Sequence, residues 1–118
     1  RSSQGELAIE VVDNGVREDG MTHLVGQRAR LQLHAKLARI AYLDTTERTV
    51  RLARRSAFGT WNSSVVVSAQ GDPPGLSGVG LGLDLLIDDG DVARVVYGVW
   101  QAVDGGVELS TETAEVAP

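Results

Sequence analysis

A five-residue stretch, Ala38-Arg39-Ile40-Ala41-Tyr42, returns 55 residues later as Ala93-Arg94-Val95-Val96-Tyr97, and this return decides the fold. The match extends outward in both directions. At an offset of 54, the matching pairs are Val11 with Val65, Val12 with Val66, Gly26 with Gly80, Leu31 with Leu85. At an offset of 57, Val50 and Leu52 match Val107 and Leu109. A repeat of this length indicates one structural unit copied, each copy needing a neighbour to cover its apolar face.

Alternation of apolar and polar residues at period two predicts strands along most of the chain. Leu31 and Leu33 share one face of such a segment, whereas Arg30 and Gln32 share the other. Runs of this kind, bounded by turn residues, predict eight strands at residues 6–13, 27–34, 37–43, 49–54, 61–68, 79–87, 92–99 and 106–111. The sequence therefore predicts an all-β chain of two four-stranded antiparallel sheets. The alternative is a single eight-stranded β-sandwich.

Turn residues set the predicted boundaries. Asp88-Asp89-Gly90-Asp91 predicts a tight hairpin in which Gly90 adopts positive φ. The segment 71–75 contains two prolines and cannot continue a strand. We predict a first unit at residues 1–58 including an N-terminal strand, a second unit at 59–111, and a flexible tail at 112–118.

The composition restricts the function classes. The chain has 118 residues, 42% of them hydrophobic, and a formal net charge of -5. This charge argues against sequence-independent binding to nucleic acid or to anionic membranes, which both require a basic surface. No run approaches the ~18 apolar residues of a membrane span. The absence of cysteine excludes disulfides and thiolate metal sites.

The order of these features resembles the short blades of secreted bacterial β-propeller repeat proteins, of the sialidase-like and lectin-like kind. The residues that carry the resemblance in the second repeat are Trp61, Val65-Val66-Val67, Gly71-Asp72, Leu83-Asp84-Leu85, Asp88-Asp89-Gly90, Tyr97. The first repeat departs from the pattern because Leu7 stands at the position of Trp61. The resemblance implies two tandem blades and a secreted or cell-surface location. Because the sequence starts at Arg1 without a methionine, we expect a processed product or a piece of a larger propeller.

The resemblance also implies a partner. In such blades the Leu-rich strand is innermost and the valine strand after Trp is outermost. Read in this way, the strand at 6–13 precedes any inner strand of its own sheet, and the second sheet lacks an outer strand. We therefore expect residues 6–13 to complete a sheet in another molecule, within a homo-oligomeric ring of three copies, or in the rest of a longer chain.

Chemistry-bearing motifs are few. The two histidines, His23 and His34, are isolated, and neither a His-x-x-x-His pair nor a carboxylate-rich loop of metal-ligand spacing occurs. No serine lies in a Gly-x-Ser-x-Gly turn. We therefore predict no catalytic residue, no metal ligand and no cofactor, and we interpret the chain as a protein that is not an enzyme.

Trp100, Gln101 and Asp104 form the candidate ligand-binding site. An indole beside amide and carboxylate groups suits a sugar ring, whose C–H face stacks on the aromatic ring while its hydroxyls form hydrogen bonds. The alternative is that Trp100 packs against a neighbouring blade. The leading functional interpretation is a non-catalytic carbohydrate-binding module, followed by a structural or protein-interaction unit and then by a hydrolase-associated β domain.

Overall fold

A computed structural model describes residues 8–68 and 77–118, and the described chain is all-β with no helix, which confirms the all-β prediction. The second sheet has three strands in the described residues, where four were predicted. The seven strands are β1 Val25–His34, β2 Leu37–Asp44, β3 Thr49–Arg55, β4 Trp61–Ser68, β5 Ser77–Ile87, β6 Ala93–Val103, β7 Gly106–Val116. They correspond to seven of the eight predicted strands. Each lies where alternating apolar residues are bounded by turn residues.

The strands form two antiparallel sheets in chain order. The first sheet is β1-β2-β3-β4 and the second is β5-β6-β7. The division therefore falls between residues 68 and 77, whereas the sequence placed the unit boundary between 58 and 59. The reason is the tight turn between β3 and β4, in which the Ser56 amide donates to the Thr60 carbonyl at 2.7 Å and Gly59 adopts a φ of 87°. This turn keeps Trp61 and the valines after it in the first sheet.

The eighth predicted strand, at 6–13, is wrong for residues 8–13, which the structure describes outside any strand. Side chains satisfy the backbone of the turn that directly follows this segment. The Gly15 amide donates to Asp13 Oδ1 at 2.8 Å, and the Val16 amide donates to Asn14 Oδ1 at 3.0 Å. Such turns compete with a β ladder for the backbone groups. The expected completion of a sheet in another molecule by residues 6–13 stays a prediction.

The predicted tail is also wrong for residues 112–116, because β7 continues to Val116. Its partner β6 is longer than predicted, so the ladder extends until Val116 pairs with Ala93. Ala114 and Val116 pack against the core, and this burial favours strand over tail. In the first sheet Ala41 pairs with Leu52, so the repeat predicts that Val96 pairs with Leu109. The longer hairpin shifts this register, and Thr113 lies opposite Val96 instead.

The core lies between the two sheets. The first sheet contributes its front face, defined by Ala41, Leu43, Val50, Leu52. The second sheet contributes its inner face, defined by Leu83, Leu85, Ala93, Val95, Tyr97. The opposite sides are called the back face of the first sheet and the outer face of the second sheet.

The two faces that meet are not equivalent in the repeat. Ala41 is fully buried on the front face, but its equivalent Val96 lies on the outer face. Tyr97 is buried on the inner face, while its equivalent Tyr42 lies on the back face. Both tyrosines are on the second strand of their sheets, as the repeat predicts. The sheets therefore stack front to back, whereas a sandwich with internal two-fold symmetry would bring equivalent faces together.

An ion cluster joins the sheets beside this core. Arg39 is buried, and its Nη2 lies 2.6 Å from Asp91 Oδ2, while His34 Nδ1 lies 2.9 Å from Asp91 Oδ1. Asp91 adopts a φ of 66°, so the left-handed residue of this hairpin is Asp91 and not the predicted Gly90. Aspartate tolerates this conformation better than most residues because its short polar side chain bonds locally.

Candidate functional site

Trp100 lies on β6 at the outer face, where it is half-buried. Its cross-strand partner is Gly78 on β5. A Cβ atom built on Gly78 would overlap the Trp100 indole, so the glycine makes room for the ring to lie across the neighbouring strand. Glycine within a strand often marks such a close approach. The local fold thus fixes the position of the indole.

The other two predicted ligand residues do not join Trp100. Gln101 is the next residue on the strand, and its exposed side chain therefore points to the opposite face. Asp104 is exposed in the turn between β6 and β7, next to Gly105 at a φ of 83°. The candidate site, as a set of three residues on one surface, is not assembled in this structure.

A shallow groove of about 430 Å³ lies on the outer face. Gly82 and Gly98 are among its lining residues, together with Asp84 and Thr111. A Cβ built on Gly82 would meet nothing within 4 Å, so this part of the groove is open space. We call this feature the outer-face groove. Trp100 lies on the same face two residues along β6 from Gly98, with its indole over Gly78, and is not among the residues that line the groove.

The groove exists because the second repeat departs from the first at this position. In the first sheet, Leu43 pairs with Val50, and both side chains fill the core. In the second sheet, Gly98 stands at the position of Leu43 and pairs with Thr111, because the longer hairpin moves Val107, the sequence match of Val50, to a position opposite Ala102. Two large apolar side chains are thus replaced by a hydrogen atom and a hydroxyl-bearing side chain. The outer face therefore offers an open hollow where the front face offers a packing surface.

A second group of functional side chains lies beneath residues 8–24, on the back face. The Tyr42 hydroxyl donates to Asp13 Oδ2 at 2.6 Å and lies 2.5 Å from Ser63 Oγ. Arg51 Nε donates to the same Ser63 oxygen at 2.9 Å. Burial is the main cause of a raised Tyr42 pKa, and the Asp13 carboxylate adds to it. We call this group and its neighbours in the next paragraph the back-face polar cluster.

Asp44 is the centre of the cluster and is fully buried. Arg17 Nη2 donates to Asp44 Oδ2 at 2.9 Å, and His23 Nδ1 lies 2.8 Å from the same oxygen. The Glu47 amide donates to Asp44 Oδ1 at 2.8 Å. Arg17 also pairs with Asp13, where Nη1 to Oδ1 is 2.9 Å. The guanidinium thus joins both carboxylates and fixes the N-terminal segment to the sheet.

These contacts shift the pKa values in opposite directions. The hydrogen bond to Asp44 raises the pKa of His23 despite burial of the ring. Burial is the largest single influence on Asp44 and would raise its pKa, but the bonds from the Glu47 amide, His23 and Arg17 together lower it. The bond from Arg17 is the main reason why the pKa of Asp13 is far below its usual range. The cluster is therefore a charged network at neutral pH.

One triad in the cluster has the donor types of a metal centre. The ligand atoms of His23, Asp44 and Glu47 all lie within 4.8 Å of one another. However, both Asp44 oxygens already accept hydrogen bonds, and the Arg17 guanidinium lies 2.9 Å from one of them. A cation placed there would break the hydrogen bond between His23 and Asp44 and would face this positive charge. The Asp44 oxygens thus stabilise the fold through their bonds to Arg17, His23 and the Glu47 amide.

Little in the sequence pattern indicates this cluster. Asp13 and Asp44 stand beside turn residues, which usually explains an aspartate there. Their partners are distant in sequence: Tyr42 is 29 residues from Asp13, and Arg17 is 27 residues from Asp44. The usable signal was the unusual polarity of β2, in which Tyr42 and Asp44 interrupt an apolar face.

Comparison with known proteins identifies no relative: no family model, curated protein or solved structure matches this chain. The part of the chain that the structure describes contains no helix long and apolar enough to cross a membrane. Any function of the outer-face groove or of the back-face polar cluster is therefore inferred from their geometry.

Proposed function

We propose that this chain is a non-catalytic binding module, built from two propeller-type blades, that binds carbohydrate at the outer-face groove. The observation that carries the proposal is the replacement of Leu43 and Val50 by Gly98 and Thr111, which opens the groove on the same face as Trp100. Its volume of about 430 Å³ lies within the usual range of small-ligand sites, about 300–1,000 Å³.

The chemistry around the groove suits a sugar. Asp84 and Thr111 line the groove and supply a carboxylate and a hydroxyl for hydrogen bonds to ring hydroxyls. The Trp100 indole lies on the same face over Gly78, from where it would supply an aromatic surface to a sugar that extends beyond the groove. Asp84 and Thr111 thus replace Gln101 and Asp104 as the polar partners. The front-to-back stacking of the sheets supports the blade interpretation, and the resemblance to secreted propeller repeats extends the proposal to a secreted or cell-surface location.

The absence of a catalytic role is part of the proposal. Within the described ranges, the most concentrated group of titratable side chains is the back-face polar cluster. The side chains of this cluster form hydrogen bonds within the protein. Arg17, His23 and the Glu47 amide, for example, all bond to Asp44. An acid–base pair must instead be able to reach a substrate proton.

A glycan array followed by titration calorimetry tests the proposal. Trp100→Ala is expected to abolish binding while the melting temperature stays within a few degrees. Gly82→Val is expected to fill the groove and to abolish binding with the fold intact, because a Cβ there meets nothing. Trp61→Ala is the matched control, since Trp61 is a half-buried tryptophan of the first sheet bonded to Glu10.

Two results would overturn the carbohydrate proposal. One is full binding by both groove variants. The other is a loss of stability of ~3 kcal/mol or more in Trp100→Ala, which would identify the indole as part of the core. The absence of any bound glycan would leave the second candidate function, a protein-interaction unit. That candidate is favoured by Leu31 and Leu33, which are 58% and 68% exposed on the back face.

A further inference from the structure

Asp84 gives the outer-face groove its charge. Among the described residues that line the groove, no other carries a charged side chain. Asp84 stands between Leu83 and Leu85, which are buried on the inner face, so its own exposed side chain points to the outer face. The Leu85 amide donates to Asp84 Oδ1 at 2.8 Å, and within the described residues no hydrogen bond engages Oδ2. One carboxylate oxygen is therefore available to a ligand.

The second sheet has no spare positive charge to pair with this carboxylate. Residues 77–118 contain eight acidic side chains and one basic side chain, that of Arg94. Arg94 lies on the outer face as well, two residues along β6 from Val96. However, its Nε donates to Glu115 Oε1 at 3.1 Å, and its Nη2 lies 3.6 Å from Asp88 Oδ2. Two other carboxylates thus share the Arg94 guanidinium.

The basic side chains of the first sheet do not supply the missing charge either. The first sheet packs against the inner face, whereas the groove lies on the outer face. Arg39 and Arg54 reach the second sheet, but Arg39 pairs with Asp91 and Arg54 donates to the Ala117 carbonyl. In the part of the chain that the structure describes, the Asp84 carboxylate therefore has no positive partner.

A ligand that fills the groove removes water from this carboxylate. Burial of a charge is unfavourable unless the charge is both paired and hydrogen-bonded. A sugar hydroxyl would supply a hydrogen bond alone, whereas an ammonium group would supply a hydrogen bond and the opposite charge. A sugar with a carboxylate would bring a like charge close to Asp84 and would be repelled. The groove therefore favours a cationic sugar over a neutral or an acidic one.

The positions of Asp84 and Trp100 set the length of the ligand. Asp84 lies opposite Val96 on β6, and Trp100 follows four residues further along the same strand. At about 3.3 Å per residue, the two strand positions are about 13 Å apart. A single sugar ring is too short to contact both side chains. A ligand that stacks on the indole and also reaches the carboxylate is therefore a chain of sugars that runs along β6.

We propose that the outer-face groove is specific for chains of amino sugars with free ammonium groups. One ammonium group bonds to Asp84, a neighbouring hydroxyl bonds to Thr111, and a further ring of the same chain stacks on Trp100. This inference rests on the proposed carbohydrate-binding function and adds to it the class of sugar.

Titration calorimetry with three tetrasaccharides of identical linkage tests this specificity. Chains of glucosamine, glucose and N-acetylglucosamine carry an ammonium group, a hydroxyl and an acetamide at the same carbon. At a pH at which the amine is protonated, the wild-type chain is expected to bind the glucosamine chain about 10-fold more tightly than the glucose chain, the usual effect of a hydrogen bond between charged groups. Added salt is expected to reduce this difference.

Two matched variants locate the preference. Asp84→Asn is expected to abolish the preference for the glucosamine chain and to retain binding of the glucose chain, because the amide keeps an oxygen that accepts hydrogen bonds. Asp104→Asn is the control, since it removes the same charge from an exposed turn of the same sheet outside the groove. It is expected to retain the full preference.

Each contrary result has its own meaning. Equal affinity of the wild-type chain for the glucosamine and glucose chains would overturn the inference and leave the carbohydrate proposal intact. A preference that survives in Asp84→Asn would overturn it too, because the attraction would then come from the general negative charge of the second sheet. Binding of the glucosamine chain by both Trp100→Ala and Gly82→Val at wild-type affinity would overturn the proposed site together with the inference.

Discussion

Leu31 and Leu85 offer a matched test of the fold, because the repeat aligns two leucines that differ in burial. Leu85 is fully buried between the sheets, and Leu31 is 58% exposed on the back face. Truncation of Leu85 to alanine removes buried methyl groups and leaves a cavity, so we expect a loss of about 3–4 kcal/mol. Truncation of Leu31 loses only the buried part of a side chain whose full burial contributes about 2 kcal/mol, so we expect about 1 kcal/mol.

Urea unfolding followed by circular dichroism measures the free energy of unfolding of both variants. A difference of about 2–3 kcal/mol should appear as a shift of the urea midpoint with little change in the m-value. Equal losses within about 0.5 kcal/mol, the usual effect of a surface substitution, would refute the front-to-back packing. A larger loss for Leu31→Ala than for Leu85→Ala would mean that the back face contains the core.

The pH dependence of the thermal midpoint reports the back-face polar cluster. The pKa of His23 is raised in the fold, so its contribution is complete below about pH 6.5 and is lost as the pH rises through the raised value; His23→Gln should remove this loss. The lowered pKa of Asp44 acts in the other direction, with its contribution complete above about pH 3.8 and lost as the pH falls through the lowered value. Asp44→Ala should cost about 3 kcal/mol in urea unfolding, because Arg17 and His23 lose their buried partner; a loss below about 1 kcal/mol would contradict the network. Gly78→Ala should displace the Trp100 indole and shift its fluorescence, whereas Gly82→Ala should leave it unchanged; equal spectra would place the indole elsewhere.

Local patterns predicted most of the strands because those strands depend on local chemistry. The strand at Trp61–Ser68 was predicted to the residue, since a tryptophan and three valines stand between a turn and a glycine-containing segment. The strand at 6–13 failed for a non-local reason. Its apolar residues resemble a strand, but the Asp13 contacts with Arg17 and Tyr42 hold the segment across a sheet face.

The candidate site likewise depends on non-local contacts that a local sequence pattern does not show. The identity of Trp100 as an aromatic candidate came from the sequence, but its neighbours depend on strand register. Alternation along β6 separates Gln101 from Trp100, and pairing with β7 brings Thr111 opposite Gly98. A repeat alignment cannot show that the longer hairpin moves Leu109 away from the position expected from Leu52. Register is a property of the paired strands, so it becomes visible only with the structure.

β7 forms one edge of the second sheet, and its composition has a consequence for solubility. Eleven residues of edge strand offer a row of backbone groups to any other extended chain. Glu108, Glu112 and Glu115 are spaced along this edge and exposed. In a parallel, in-register stack of such edges, each glutamate would lie beside the same glutamate of the neighbouring molecule. Like charges placed directly opposite one another destabilise a sheet. The acidic edge thus allows a long strand to remain open in solution while opposing the growth of a cross-β fibril.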